Sequence, residues 1–324
     1  MPTLMQRICG FSVVLLLTAM TQSASAADAA PLRLVVPYPP GGPTDIVART
    51  ISGALAEELG QQIVVDNRPG ASGMIGATAV AKAPPDGNTL LLNPTIHVIL
   101  PSLQQKMSYD AIKDFTHLGV TAAVPLVLAV NVDLPVKSVE ELVKYAKAHP
   151  RQVFFATPGQ GSSSHLAGEQ FKMMAGIEIQ QVPYKGSSPA IVDLIGGRVQ
   201  MAFESLPSII AYVRTGKVRA LAVTSGTQTR AAPDLRTMEE TGYAGFIHTN
   251  WYGMWGPPGM PAAVSERIIG ALERTMQRKS VRDRLLELGA DPVDGIYGAQ
   301  FEAYAKKEME RYARLVKDAG IKMD

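Results

Sequence analysis

The stretch Val35-Val36-Pro37-Tyr38-Pro39-Pro40-Gly41-Gly42-Pro43-Thr44-Asp45 constrains the fold more than any other, because an apolar strand runs through a Pro/Gly turn straight into an amphipathic helix. The first amides of a helix lack intrahelical partners and sit at the positive end of its dipole, so such a turn offers donors to a carboxylate or phosphate. Gly41 and Gly42 let a ligand approach the backbone closely. The same residues also serve as ordinary turn punctuation in α/β domains, so the remainder of the chain has to separate the two readings.

Leu32 to Val36 reads as a buried strand, and Thr44 to Leu59 as a helix with Ile46, Val47, Ile51, Leu55 and Leu59 on one face and Gly60 as its stop. A strand over Gln62 to Asp66 leads to a second glycine-bearing loop, Asn67 to Gly73, and a short helix. A third strand, Thr89 to Leu92, finishes in Asn93-Pro94-Thr95. Alternation of this kind predicts a parallel sheet with a ligand crevice at the carboxyl ends of its strands, where all three loops lie.

Leu118 to Asn131, apolar, β-rich and interrupted by Pro125, reads as an extended crossing between lobes. A second α/β series follows, with a capping box at Ser138 to Glu141, strand Val153 to Ala156, and the loop Thr157 to His165 opening a helix. Next come strand Ile179 to Val182, the loop Tyr184 to Pro189, and strands Val199 to Phe203 and Val218 to Val223. Asn250 to Trp255 reads as the return strand, before closing helices over Ala262 to Arg278, Val281 to Leu288 and Gly298 to Ala319. The expected organisation is lobe one at 32–123 and 246–324, and lobe two at 124–245, with two crossings as a hinge.

The 324 residues suffice for two cores, and 31 Lys and Arg against 29 Asp and Glu leave no basic stripe, so nucleic acid is not an expected partner. Arg7, the apolar run Ile8 to Met20 and Ala24-Ser25-Ala26 form an export signal, with cleavage expected after Ala26. Its apolar run is short for a membrane span. The single cysteine, Cys9, lies inside that signal, so the exported chain is expected to have no disulfide, Cys nucleophile or Cys-ligated metal.

Gly159-Gln160-Gly161-Ser162-Ser163-Ser164 resembles a dinucleotide fingerprint, but Ser164 replaces the third glycine and export argues against a diffusible nucleotide; no cofactor is expected. Ser162 and His165 invite a hydrolase reading, yet no G-x-S-x-G elbow is present and a serine at a helix start is more simply a cap and anion ligand. The five histidines show no metal-binding spacing. Glu204 either enters the crevice, where it would favour an amine, a hydroxyl or a protonated group, or is a solvated acid near a helix start. Lys185 either counters a ligand carboxylate or is solvated. Tyr38 and Tyr184, expected in opposite lobes, either sandwich a ligand or plug the cleft.

Pro37 to Asp45, Asp66 to Ala71, Pro85-Asp86-Gly87, Tyr109-Asp110 with Asp114-Phe115, Gly161 to His165, Pro183 to Gly186 and Trp251-Tyr252-Gly253 together resemble the motif series of the Bug family. These are periplasmic solute receptors of tripartite tricarboxylate transporters. The resemblance is collinear from about Leu32 onward and implies a two-lobed type II periplasmic-binding-protein fold with its ligand between the lobes. It also implies a non-enzymatic, monomeric receptor for a small organic carboxylate (a di- or tricarboxylate, acidic amino acid or aromatic acid), partnered by the transporter's membrane components. A hydrolase, or a sensor of the same ligands, is the alternative.

The family's ligand positions map onto the loop Tyr38 to Asp45, with Tyr38, Pro40, Gly41, Gly42, Thr44 and Asp45, and onto Asn93 and Thr95. In lobe two they map onto Gly161, Ser162, Ser163, His165 and Tyr184. Glu204 stands where many members carry Asp. Leu100-Pro101-Ser102-Leu103 departs from the family pattern, which leaves the expected loop near His97 open.

Overall fold

The computed structural model describes residues 30–104, 106–229 and 232–318, so the export signal lies outside the described residues. Strand β1 (Leu32–Val36) buries Leu32, Leu34, Val35 and Val36 and feeds helix α1 (Pro43–Leu59). Pro43 suits the first helical position because its missing N–H has no helical partner to lose, and Gly60 ends the helix in the left-handed region at φ 63°. Strand β2 (Ile63–Asn67), helix α2 (Met74–Ala81) and strand β3 (Thr89–Pro94) complete the first parallel unit, with β1 between β2 and β3.

The segment around His97 is not a loop. Residues Ile96–Leu103 form helix α3 despite Pro101, because five of its apolar side chains are buried and tertiary packing outweighs the one backbone bond the proline removes.

Strand β4 (Thr116–Asn131) is a single strand shared by two sheets. Up to Pro125 it pairs antiparallel with β9 (Thr249–Gly256); from Leu126 it pairs with β7 (Met201–Ser205) and β8 (Val218–Val223). The handover falls where proline has no N–H to offer a ladder. Between these lie α4 (Val139–Ala148), β5 (Val153–Thr157), α5 (Ser163–Ala175), β6 (Ile179–Pro183), α6 (Ser187–Ile195) and α7 (Leu206–Arg214). Strand β5 runs parallel to β6 and β7, which makes the second parallel unit. After β9 the chain closes with α8 (Ala262–Gln277), α9 (Lys279–Glu287), a two-residue β10 (Asp291–Pro292) on β4, and α10 (Gly298–Asp318). The sheet order is β2-β1-β3-β9-β4-β7-β5-β6, the α/β two-lobed arrangement that the sequence leads one to expect.

One core runs through both lobes on the α1, α7 and α8 side, and each lobe has a second core on its opposite face. At the crossing, the buried Thr224 joins the two connecting segments. Its Oγ1 accepts from Leu126 N at 2.9 Å and donates to His248 O at 2.5 Å, while the backbones bond as Thr224 N to Leu126 O and His248 N to Thr224 O. Replacing Thr224 by the near-isosteric Val leaves the Leu126 amide and the His248 carbonyl short of a partner. Thr224→Val is expected to cost about 1–3 kcal/mol, read as a lower urea midpoint; an unchanged midpoint would show that the hydroxyl contributes nothing at the crossing.

Candidate functional site

The carboxyl ends of β1, β3, β5 and β7 each run into a helix start, and because β1 and β3 run opposite to β5 and β7 the two pairs of ends face each other where β4 changes sheets. At α1, Ile46 N is the first amide bonded back into the helix, to Gly42 O; the amides of Thr44 and Asp45 have no partner among the described residues. At α5 the same pattern recurs: Leu166 N bonds Ser162 O, and the amides of Ser163 and Ser164 have no partner among the described residues. The two starts belong to different lobes, and Pro39 of one lies against Gly186 of the other, where an added Cβ would meet the proline ring at 3.8 Å.

Asp45 organises the first loop from beneath. Its Oδ2 accepts from Gly41 N and from Arg49 Nε, both at 2.9 Å, and its Oδ1 accepts from Asn67 Nδ2 at 3.0 Å. Burial opposes its charge, but these bonds outweigh burial and hold the carboxyl below the usual carboxylate range. The Gly41 amide is therefore spent inside the chain, whereas those of Gly42, Thr44 and Asp45 have no partner among the described residues. Gly41 itself sits at φ 78°, a conformation that glycine adopts without strain. Pro40 is exposed, and Tyr38 donates to Ser72 O at 3.3 Å. Arg49 escaped the sequence reading, although its i, i+4 spacing from Asp45 on one helix is the signal that marks it; Asn67 was read only as the start of the second glycine-bearing loop.

In lobe two, Ser162 is the N-cap of α5. Its Oγ donates to Gly159 O at 2.8 Å and accepts from His165 N at 3.2 Å. His165 Nδ1 accepts from Gly161 N at 3.1 Å, and burial lowers the imidazole pKa, so the ring is neutral with its proton on Nε2. Ser162 and His165 thus make no hydroxyl-to-imidazole bond of the kind nucleophilic catalysis needs. Ser163 differs from Ser162: its buried Oγ faces the Tyr312 hydroxyl without a bond of normal geometry among the described residues. The Tyr184 hydroxyl is committed to Asp193 Oδ2 at 2.8 Å, and burial with that bond pushes it up to about 12.

Thr95 is a strand clamp, donating to Trp251 O and accepting from Trp251 N. Asn93, 1% exposed, donates through Nδ2 toward His97 Nδ1 at 3.1 Å, and its Oδ1 is without a partner among the described residues.

Glu204 lies inside strand β7 rather than after it, and it is 1% exposed, so it is not a solvated acid. Its Oε1 accepts from Ser187 Oγ at 2.8 Å and from Ser205 N at 2.9 Å, at the starts of α6 and α7, while Tyr252 from β9 faces it. Burial pushes its carboxyl up to about 7, against the two hydrogen bonds. Ser187 was not singled out in the sequence. Among the described residues no cluster of three or more His, Cys, Asp or Glu could hold a metal ion.

Residues 47–321 match the family model described as tripartite tricarboxylate transporter family receptor. The chain belongs to that family. It is 36% identical over 303 residues to Protein BugT of Bordetella pertussis, covering 93% of each chain. Among solved structures, periplasmic binding protein BugD superposes with a TM-score of 0.86 at 34% identity, covering 90% of this chain and 99% of that one. An R. palustris protein with adipate gives 0.88 at 36%, covering 92% and 100%. MatC from Rhodopseudomonas palustris with bound malate gives 0.82 at 31%, covering 88% and 98%. The Bug resemblance and the two-lobed periplasmic-binding-protein fold expected from the sequence are thereby established.

Glu204 generates a pH prediction. Its folded pKa of about 7 lies above the ordinary 4.5 of the unfolded chain. The folded state therefore binds the extra proton between those values, and stability falls as pH rises through the window, by on the order of 3 kcal/mol. The buried His97, His117 and His248, all held neutral by lowered pKa values, act in the opposite direction, so the readout is the difference between wild type and Glu204→Gln. The variant should gain stability over wild type as pH rises from 5 to 8 in chemical denaturation; parallel pH profiles would show that Glu204 titrates as a solvated acid.

Proposed function

We propose that this family member is a periplasmic solute receptor that closes 32–123 with 246–324 on one side, and 124–245 on the other, around a small organic carboxylate. It then delivers that ligand to the membrane components of a tripartite tricarboxylate transporter. Export is by the N-terminal signal with cleavage after Ala26. The observation that carries the reading is the pair of helix starts, α1 from one lobe and α5 from the other, each with two amides that have no partner among the described residues. An anion placed between them receives donors and two dipole ends from opposite sides. Relatives of the same fold with adipate and with malate support a dicarboxylate as the class.

The hydrolase alternative has no support at Ser162, whose hydroxyl is occupied as a helix cap. Substituting Ser162 by Ala consequently tests the helix start as much as binding, at a cost of about 1 kcal/mol.

A cleaner test removes a donor amide. Ser163 occupies the first position of α5, and Ser162 before it has φ −65° and ψ 159°, the conformation a residue preceding proline adopts. Ser163→Pro is expected to weaken adipate or malate binding by calorimetry about ten- to hundredfold, the value of one charge-assisted hydrogen bond, with the far-UV spectrum unchanged. Undiminished affinity for every carboxylate that binds would remove α5 from the site.

A further inference from the structure

Helix α5 starts at the crevice in lobe two, but one face of it rests on lobe one. Ser163, Leu166 and Gln170 stand three and four residues apart, so they share a single stripe of the helix. At the far end of that stripe, Gln170 Oε1 lies 2.7 Å from Nε2 of His248, on the segment that returns to lobe one. In the middle, the fully buried Leu166 packs in the core that holds Trp251, Trp255 and Tyr312. At the near end, Ser163 Oγ faces the hydroxyl of Tyr312, which comes from the closing helix α10.

Tyr312 is set in place by a chain of bonds inside lobe one. Trp251 Nε1, on β9, donates to Glu308 Oε2 at 3.1 Å, and Arg311 donates to both Glu308 oxygens at 2.9 Å. The guanidinium so held lies over the Tyr312 ring, 4.3 Å from its centre, and reaches toward the phenol oxygen. A guanidinium can only donate, so the phenol proton must point elsewhere, and Ser163 Oγ is the acceptor it faces. Burial pushes the phenol up to about 12, so that proton is present throughout the neutral range.

Both hydroxyls are buried, Tyr312 completely and Ser163 to 4% exposure, and neither has a bond of normal geometry among the described residues. Buried hydroxyls left unpaired are costly, and a small approach of α5 to α10 joins these two to each other. When the lobes part, each hydroxyl meets water instead. The pair therefore favours only the closed arrangement, and its worth is felt as resistance to opening.

We propose that Tyr312 is a positioning residue for ligand capture: its hydroxyl donates to Ser163 Oγ when the lobes shut, seats the start of α5, and slows ligand release without touching the ligand. The proposal rests on the two-lobed receptor reading above and adds to it a determinant of residence time on the last helix.

The test is stopped-flow release of adipate or malate. The chain's two tryptophans, Trp251 and Trp255, share a core with Leu166 and Tyr312, so their fluorescence reports closure. Tyr312→Phe keeps the ring and loses only the hydroxyl; it should raise koff about three- to tenfold, the net worth of one hydrogen bond, with kon unchanged. In a Ser163→Ala background the same substitution should raise koff no further, because the partner is already gone. A purely structural role would lower the urea midpoint of the ligand-free protein and speed release equally in both backgrounds. That result overturns the proposal, as does a wild-type koff in Tyr312→Phe. Should Tyr312→Phe not fold, Ser163→Ala alone must speed release by at least about the same factor, and an unchanged koff there is equally fatal. All of these outcomes leave the receptor reading in place. If the wild type binds neither acid, the dicarboxylate reading falls and this proposal falls with it.

Discussion

The division of β4 between two sheets is the constraint on which the remaining structure depends. A strand offers two edges, and this one presents them first to β9 and then to β7 and β8, with the change falling at Pro125 and Leu126. Because β1 and β3 end on one side of that point and β5 and β7 on the other, the helices that follow them start facing one another across it. The Thr224 hydroxyl and amide bind the outgoing and returning segments to each other there. A crevice rich in unpaired amides thus follows from connectivity and needs no unusual side chain.

What side chains add is a limit on that supply. Asp45 takes the Gly41 amide, Ser162 takes the His165 amide, and Glu204 takes the Ser205 amide. The chain uses its own oxygens to fill some helix starts and leaves others open. Asp45 at this edge is paired with Arg49, and His165 beside it is held neutral by burial.

Much of this was legible in the sequence because periodicity and punctuation are local. Strand Val218 to Val223 was read to the residue, and the helices beginning at Thr44 and Ala262 were read to within one residue. The failures share a physical cause. Helix α3 contains a proline and is held by burial against aromatic rings distant in sequence, which no window around His97 contains. Glu204 was placed after its strand because the register of β7 is set by β4 and β5, not by its own residues. Hydroxyl commitments such as Ser162 to Gly159, Tyr184 to Asp193 and Thr95 to Trp251 depend on rotamers and on partners across the fold; residue type alone marks them only as polar and well placed.

Leu166 belongs by sequence to the second lobe, one turn into α5, yet it is fully buried in the aromatic core of the first, with Trp251, Trp255 and Tyr312. If the lobes part, this side chain leaves an oily socket for water, and the socket is wetted with it. The swing between forms therefore carries its own hydrophobic term, separate from anything the ligand touches. Such burial changes the heat capacity more than the enthalpy near room temperature. The temperature dependence of capture would then report how far the lobes move, and a small polar ligand would show the heat-capacity signature of a much larger and greasier one.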